Sequence, residues 1–117
     1  ERRGWIPRAE LLELFRRARG FVYPSLFEGF GMPVLEALAA GVPAACSDIE
    51  PLRSLAAGYA LLFDPGDEES MLDALRRLLA GEAPQTGVEY ARQFTWRRAA
   101  ELTLEVLEDA YRRKSSS

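Results

Sequence analysis

The sequence predicts an α/β protein, a parallel sheet of about four short strands with flanking helices and a long C-terminal helix. Three observations carry this reading. Helix-period segments alternate with short apolar runs along most of the 117 residues. Gly and Pro fall between the two kinds of segment and punctuate them. Apolar residues make up 48% and charged residues 28%, the balance of a globular chain rather than a disordered one.

In order, Gly4 to Pro7 read as a short strand at the sheet edge. From Arg8 to Arg19 the apolar positions Leu11, Leu12, Leu14, Phe15 and Ala18 follow helical spacing, and Gly20 is expected to end that helix in the left-handed conformation. Phe21-Val22-Tyr23 is β-prone and stops at Pro24. A helix is expected from Pro33, a favoured first position, to just before Gly41. Pro43 to Cys46 reads as a buried strand, although Ala-Ala-Cys is a weak β sequence. A turn or two of helix from Pro51 to Ala57 ends at Gly58, and Tyr59 to Phe63 forms the last strand before the turn Asp64-Pro65-Gly66.

Asp67 can cap a helix that carries Glu68 and Glu69 in its first turn and runs through Leu79 to Gly81. After a loop, a short helix over Val88 to Gln93 leads to Thr95, a good cap for a final helix from Trp96 to Lys114, about 28 Å long. Its stripe of Trp96, Ala99, Ala100, Thr103, Val106, Leu107, Ala110 and Tyr111 reads as structural. A doubly wound domain has about six strands. The smaller number here, with Glu1 rather than Met at the start, leads us to expect a piece of a longer polypeptide.

Charge and composition narrow the chemistry. Fifteen basic and eighteen acidic residues give a net charge of −3, which implies no nucleic-acid partner. With no histidine, imidazole general acid/base catalysis and Ser-His-Asp triads are excluded from this chain. The lone Cys46 allows no internal disulfide and fits a small buried hydrophobe in a reducing compartment, so a cytoplasmic setting is expected. The longest nearly apolar run, residues 37–46, is broken by Gly41 and Pro43 and falls short of the ~20 residues a transmembrane segment needs.

One stretch departs from ordinary core sequence: Pro24-Ser25-Leu26-Phe27-Glu28-Gly29-Phe30-Gly31-Met32-Pro33-Val34-Leu35-Glu36-Ala37. It follows a strand and opens a helix, the place where open α/β sheets bind ligands. Two glycines flank Phe30 and permit a tight turn with outward amides. Pro33 has no amide hydrogen, and Met32 offers no side chain to cap Val34 or Leu35. Such an entrance suits a phosphate, unless water or a neighbouring loop takes its amides. Glu28 and Glu36, seven residues apart, can both face the turn and accept from paired sugar hydroxyls, or can simply decorate the positive helix end. A glycosidase acid–base pair would explain the carboxylates but not the glycines.

This run, continued by Ala37-Leu38-Ala39-Ala40-Gly41-Val42-Pro43, closely resembles the donor-binding segment of retaining glycosyltransferases with the GT-B fold, the large group 1 family. The family signature is a glutamate, seven residues and a second glutamate, usually within Pro-Ser-x-x-Glu-Gly-Phe-Gly-x-Pro-x-x-Glu-Ala, and every fixed letter is kept. Gly4-Trp5-Ile6-Pro7, the run from Leu62 to Asp67 and Phe94-Thr95-Trp96 resemble further landmarks of the same domain. The resemblance implies that residues 1–117 are a partial, Rossmann-like C-terminal donor-binding domain, without the N-terminal acceptor domain and the first half of the donor domain.

It also implies roles. Glu28 would be the catalytic residue beside the donor sugar ring, accepting from its hydroxyls and stabilising the developing glycosyl cation. Main-chain amides of Gly29, Phe30, Gly31 and Met32 would reach sugar hydroxyls and diphosphate, and those of Val34 and Leu35 would hold the phosphates. Glu36 would accept from the ribose. The reaction so implied moves a sugar from a nucleotide-sugar donor, with retention, and without metal or cofactor. Arg53 stands in a stretch where the family often carries an acidic residue, and no role follows for it. The chain alone is expected to be inactive and, through its open sheet edge, to pair with a copy of itself. A non-catalytic nucleotide-sugar-binding or interaction module of the same fold is the alternative. A phospho-receiver domain is disfavoured, since no strand-end acidic cluster with a suitably placed lysine appears.

Overall fold

The computed structural model describes residues 1–116. The elements are α1 (Arg8–Arg17), β1 (Phe21–Tyr23), α2 (Met32–Ala39), β2 (Ala44–Ser47), α3 (Leu52–Ala56), β3 (Leu61–Phe63), α4 (Glu68–Leu79), α5 (Gly87–Ala91) and α6 (Trp96–Ser115). The strands pair in parallel in the order β1-β2-β3, with Val22 opposite Ala45 and Cys46 opposite Leu62.

The sheet therefore has three strands among the described residues, not the expected four. Gly4 to Pro7 has no ladder partner, Trp5 is 89% exposed, and Pro7 serves as the extended N-cap of α1. A strand is defined by its neighbour, and among the described residues β1 has only β2 beside it.

Strand β2 shows why a poor β sequence still forms a strand. It is central, and helices cover both faces, so small side chains fit where large ones would not. Ala44 and Cys46 point into one core with Val34, Leu35, Leu38, Leu52 and Ala56 of α2 and α3. Ala45 points the other way, into a core with Leu61 and Phe63 of β3 and Ala74 and Leu78 of α4. The period-2 alternation of the pleat is thus visible in which core each residue enters. Burial, and secondarily the nearby Asp48 carboxylate, push the Cys46 thiol up to about 11, the behaviour of an inert core thiol.

Two glycines have structural reasons that differ from each other. Gly20 does not adopt the expected left-handed cap; α1 ends at Arg17, and a Cβ on Gly20 would lie 2.7 Å from Leu78 Cδ2, so the residue is small because α4 packs on it. Gly31 has φ of +100°, which favours glycine, and a Cβ there would have to displace the Leu52 Cδ2 methyl.

Asp67 and Thr95 cap α4 and α6 as expected, accepting from Ser70 N and Arg98 N among others. The stripe of α6 is not packed, however. None of its residues is buried, and Trp96 and Tyr111 are 93% and 74% exposed. Local interactions support this helix, with Arg112 and Arg113 paired one turn back to Glu108 and Asp109. Among the described residues, no helix is long and apolar enough to cross a membrane.

Gly31→Ala is expected to destabilise the chain by roughly 2–4 kcal/mol, from positive-φ strain plus the clash with Leu52. Gly29→Ala, where a Cβ meets nothing within 4 Å, should stay within about 0.5 kcal/mol. Urea unfolding of the two variants checks the contrast.

Candidate functional site

The segment singled out by sequence occupies the carboxyl edge of the sheet, running from the end of β1 to the start of α2. Neighbouring strand ends are tied together there. The Ser47 hydroxyl donates to Tyr23 O at 3.3 Å, and Asp48 N donates to Phe63 O at 2.7 Å.

Glu28 is half-buried in this loop and held from below. The Tyr23 hydroxyl donates to its Oε1 at 2.6 Å. The Ser25 hydroxyl lies 2.7 Å from the same oxygen and 2.9 Å from Phe27 O; with one proton it serves one acceptor at a time. Tyr23 first and Ser25 second hold the Glu28 carboxyl below the ordinary carboxylate range, with partial burial opposing them. In return Glu28 is the main cause that pushes the Tyr23 phenol up to about 12, so it remains a donor at neutral pH. No described residue engages Glu28 Oε2.

The loop then presents amides. Among the described residues, those of Gly29, Phe30, Gly31 and Met32 donate to no protein acceptor. The amides of Val34 and Leu35 do not match the expectation of open donors. Both turn back to Gly31 O, at 3.1 and 3.5 Å. The reason is the position of Gly31, which as N-cap supplies the first carbonyl of the helix. The absence of a side-chain cap is real at α2, but α1, α3 and α5 lack one as well. At α2 the open amides of Gly29, Phe30 and Gly31, with Met32 at the first helical position, lie in a glycine turn that follows Glu28.

Glu36 lies one turn into α2, half-buried, and its carboxylate has no partner among the described residues. It lines a cleft of about 250 Å³ between α1 and α2 with Arg8, Leu11, Leu12, Phe15 and Ala39. Glu28 is not part of that cleft's lining. A larger apolar cavity of about 470 Å³ opens between the α2 entrance and α5–α6, bounded by Phe30, Met32, Leu35, Tyr90 and Phe94. Phe30 meets Phe94 edge-on there, at 6.4 Å.

Sequence reading missed Tyr23 and Arg8. A tyrosine closing a strand two residues before Ser25 was the available signal for the first; nothing local marks the second. Arg53 is engaged by Asp48, at 2.6 Å to the carboxylate and 3.0 Å to the carbonyl, and by Glu50 at 3.7 Å. These partners hold its charge at the surface of the β2–α3 turn.

The family described as glycosyl transferases group 1 matches residues 3–95. An O-antigen chain mannosyltransferase B of Escherichia coli is 35% identical over 106 residues, covering 86% of this chain and 28% of that protein. A D-inositol 3-phosphate glycosyltransferase of Corynebacterium urealyticum is 34% identical, covering 91% of this chain and 26% of its own length. Among solved structures, a sucrose-phosphate synthase from Thermosynechococcus elongatus superposes with a TM-score of 0.76 at 26% identity, over 97% of this chain and 30% of that one. The chain thus spans less than a third of each of these proteins.

The Tyr23–Glu28 pair gives a pH signature. A depressed carboxyl pKa contributes stability that is complete above the unfolded value, about 4.3, and is lost as acid carries the pH down through the folded value. A raised phenol pKa contributes stability that is complete below about 10 and is lost as the pH rises through about 12. Tyr23→Phe should therefore lower thermal stability at neutral pH and flatten the profile on both flanks, as read by melting curves across pH.

Proposed function

The chain belongs to the glycosyl transferases of group 1, and from that membership we propose that it supplies the donor-binding part of a retaining glycosyltransferase. The observation that carries this reading is the loop of four unpartnered amides from Gly29 to Met32, with Glu28 and Glu36 on either side. Both carboxylates keep acceptor capacity, and neither is consumed by an ion pair.

In this reading the nucleoside diphosphate lies across the α2 entrance. The amides of Gly29, Phe30, Gly31 and Met32 donate to sugar hydroxyls and phosphate oxygens, with the helix dipole behind them. Val34 and Leu35, already engaged by Gly31, contribute through the dipole and not as free donors. Glu36 accepts from the ribose hydroxyls at the mouth of the α1–α2 cleft.

During transfer the bond from the anomeric carbon to the diphosphate oxygen breaks and negative charge collects on the departing diphosphate. Amides fixed in advance stabilise that charge without reorganising. The acceptor hydroxyl attacks through its oxygen on the face the diphosphate leaves, which preserves configuration, and its proton passes to the departing phosphate oxygen, while Glu28 stabilises positive charge on the ring. Stabilisation by amides and dipole assigns no task to a metal or cofactor. The acceptor site and the remaining diphosphate ligands belong, on this proposal, to a preceding part of a longer protein, in keeping with relatives more than three times as long. The free, buried Cys46 fits a cytoplasmic setting for it.

Calorimetric titration of this chain with uridine and guanosine diphosphate sugars is expected to reveal binding by one of them, weakened about tenfold or more in Glu36→Ala. Equal affinity in the variant would remove Glu36 from the ribose; binding of neither ligand would overturn the donor-site reading. Sugar transfer by the chain alone should be negligible, and turnover at about 1 per second or faster would show that the site is complete without further chain.

A further inference from the structure

The Glu28 carboxylate is held by neutral groups. Both donors on Oε1 are hydroxyls, and no cation contacts it among the described residues. An arginine in their place would give a stronger bidentate pair but would neutralise the carboxylate and occupy both oxygens. The arrangement here fixes one oxygen and leaves the full negative charge in place.

The two hydroxyls are not equivalent. Ser25 divides its single proton between Phe27 O and Glu28, so its contact to the carboxylate is interchangeable. Tyr23 has Glu28 as its hydroxyl's acceptor, and its ring is fixed by the sheet rather than by the loop. It stacks on Phe21 with centroids 6.0 Å apart and planes 19° apart, and its carbonyl accepts from Ser47 of β2. The position of Glu28 Oε1 is thereby referred to strand β1, which is paired with β2 in the sheet.

We propose that Tyr23 is a positioning residue for sugar recognition, anchoring Glu28 Oε1 so that Oε2 alone accepts from the donor's sugar hydroxyls. This inference rests on the donor-site reading above and adds a division of labour to it. Tyr23 acts on the sugar through Glu28 and has no part in holding the diphosphate. Ser25 shares the restraint at a lower level, because its proton has a second use.

The test is a double-mutant cycle of Tyr23→Phe and Glu28→Ala in this chain, titrated with the nucleoside diphosphate sugar that the wild type binds and with the matching bare nucleoside diphosphate. Tyr23→Phe is expected to weaken the sugar nucleotide about five- to tenfold and to leave the bare diphosphate within about twofold. In the Glu28→Ala background, which has no acceptor for the Tyr23 hydroxyl, the same change should have little further effect. The Phe ring retains the stacking on Phe21, and circular dichroism checks that the fold survives. Equal weakening of both ligands would mean general damage to the loop and would overturn the proposal, as would unchanged affinity for the sugar nucleotide or an undiminished effect in the Glu28→Ala background. A wild type that binds neither ligand fails at the donor site itself, and is thereby told apart from a wild type that binds both while Tyr23→Phe changes nothing.

Discussion

The arrangement of the loop depends on one steric constraint, the space above Gly31. At that residue the chain takes φ of +100° and passes against Leu52 of α3 so closely that a Cβ would have to displace the Leu52 Cδ2 methyl. Three consequences follow from this single point. The amides of the turn, from Gly29 to Met32, are left without acceptors among the described residues. The Gly31 carbonyl becomes the first acceptor of α2 and takes up the Val34 and Leu35 amides. Leu52, fully buried, fills the volume a side chain would need and ties the β1–α2 loop to the β2–α3 unit. The proposed binding through the loop's backbone would gain from this, because the loop is packed against the core and not suspended in water.

Features encoded locally were legible in the sequence, and features that depend on a partner were not. Asp67 and Thr95 each cap within their own helix turn, so residue type and position suffice to find them. Gly4 to Pro7 has apolar strand-like composition, but strand formation requires a neighbour in register, and among the described residues it has none. Ala44-Ala45-Cys46 is the converse case. Its intrinsic preference is weak, and the closeness of helices on both faces overrides it. Gly20 looks like a cap in the sequence because caps are local, whereas its cause is Leu78, far away in sequence.

The same distinction runs through the site. The spacing of Glu28 and Glu36 and the glycines between them are visible in one line of sequence, and the structure keeps them together on one loop and one helix. Their surroundings are not visible there. The Tyr23 contact needs the strand to end with its hydroxyl over the loop, and the Glu36 cleft needs α1 to lie across α2 through Phe15, Ala37 and Val42. The open-donor expectation at Val34 and Leu35 failed for a simpler reason. Only the first amides of a helix lack partners, and the N-cap carbonyl reaches the third and fourth positions.

Spacing alone makes the two glutamates look like a matched pair, yet their environments make them chemically different. Glu28 enters the folded state with one oxygen fixed by hydroxyls and a carboxyl held below its ordinary range, so its charge and direction are set before any ligand arrives. Glu36 has no such restraint and relies on the rigidity of α2 for its placement, with an apolar wall beside it and the Arg8 side chain across the cleft. A group that stabilises a short-lived positive charge benefits from being fixed, because reorganisation during the reaction would cost part of the stabilisation. A group that only accepts hydrogen bonds from a bound ribose gains less from that, since both partners can settle together on binding. The seven-residue interval therefore joins a preorganised carboxylate to an adaptable one, and the turn at Gly31 is what allows so short a segment to carry both.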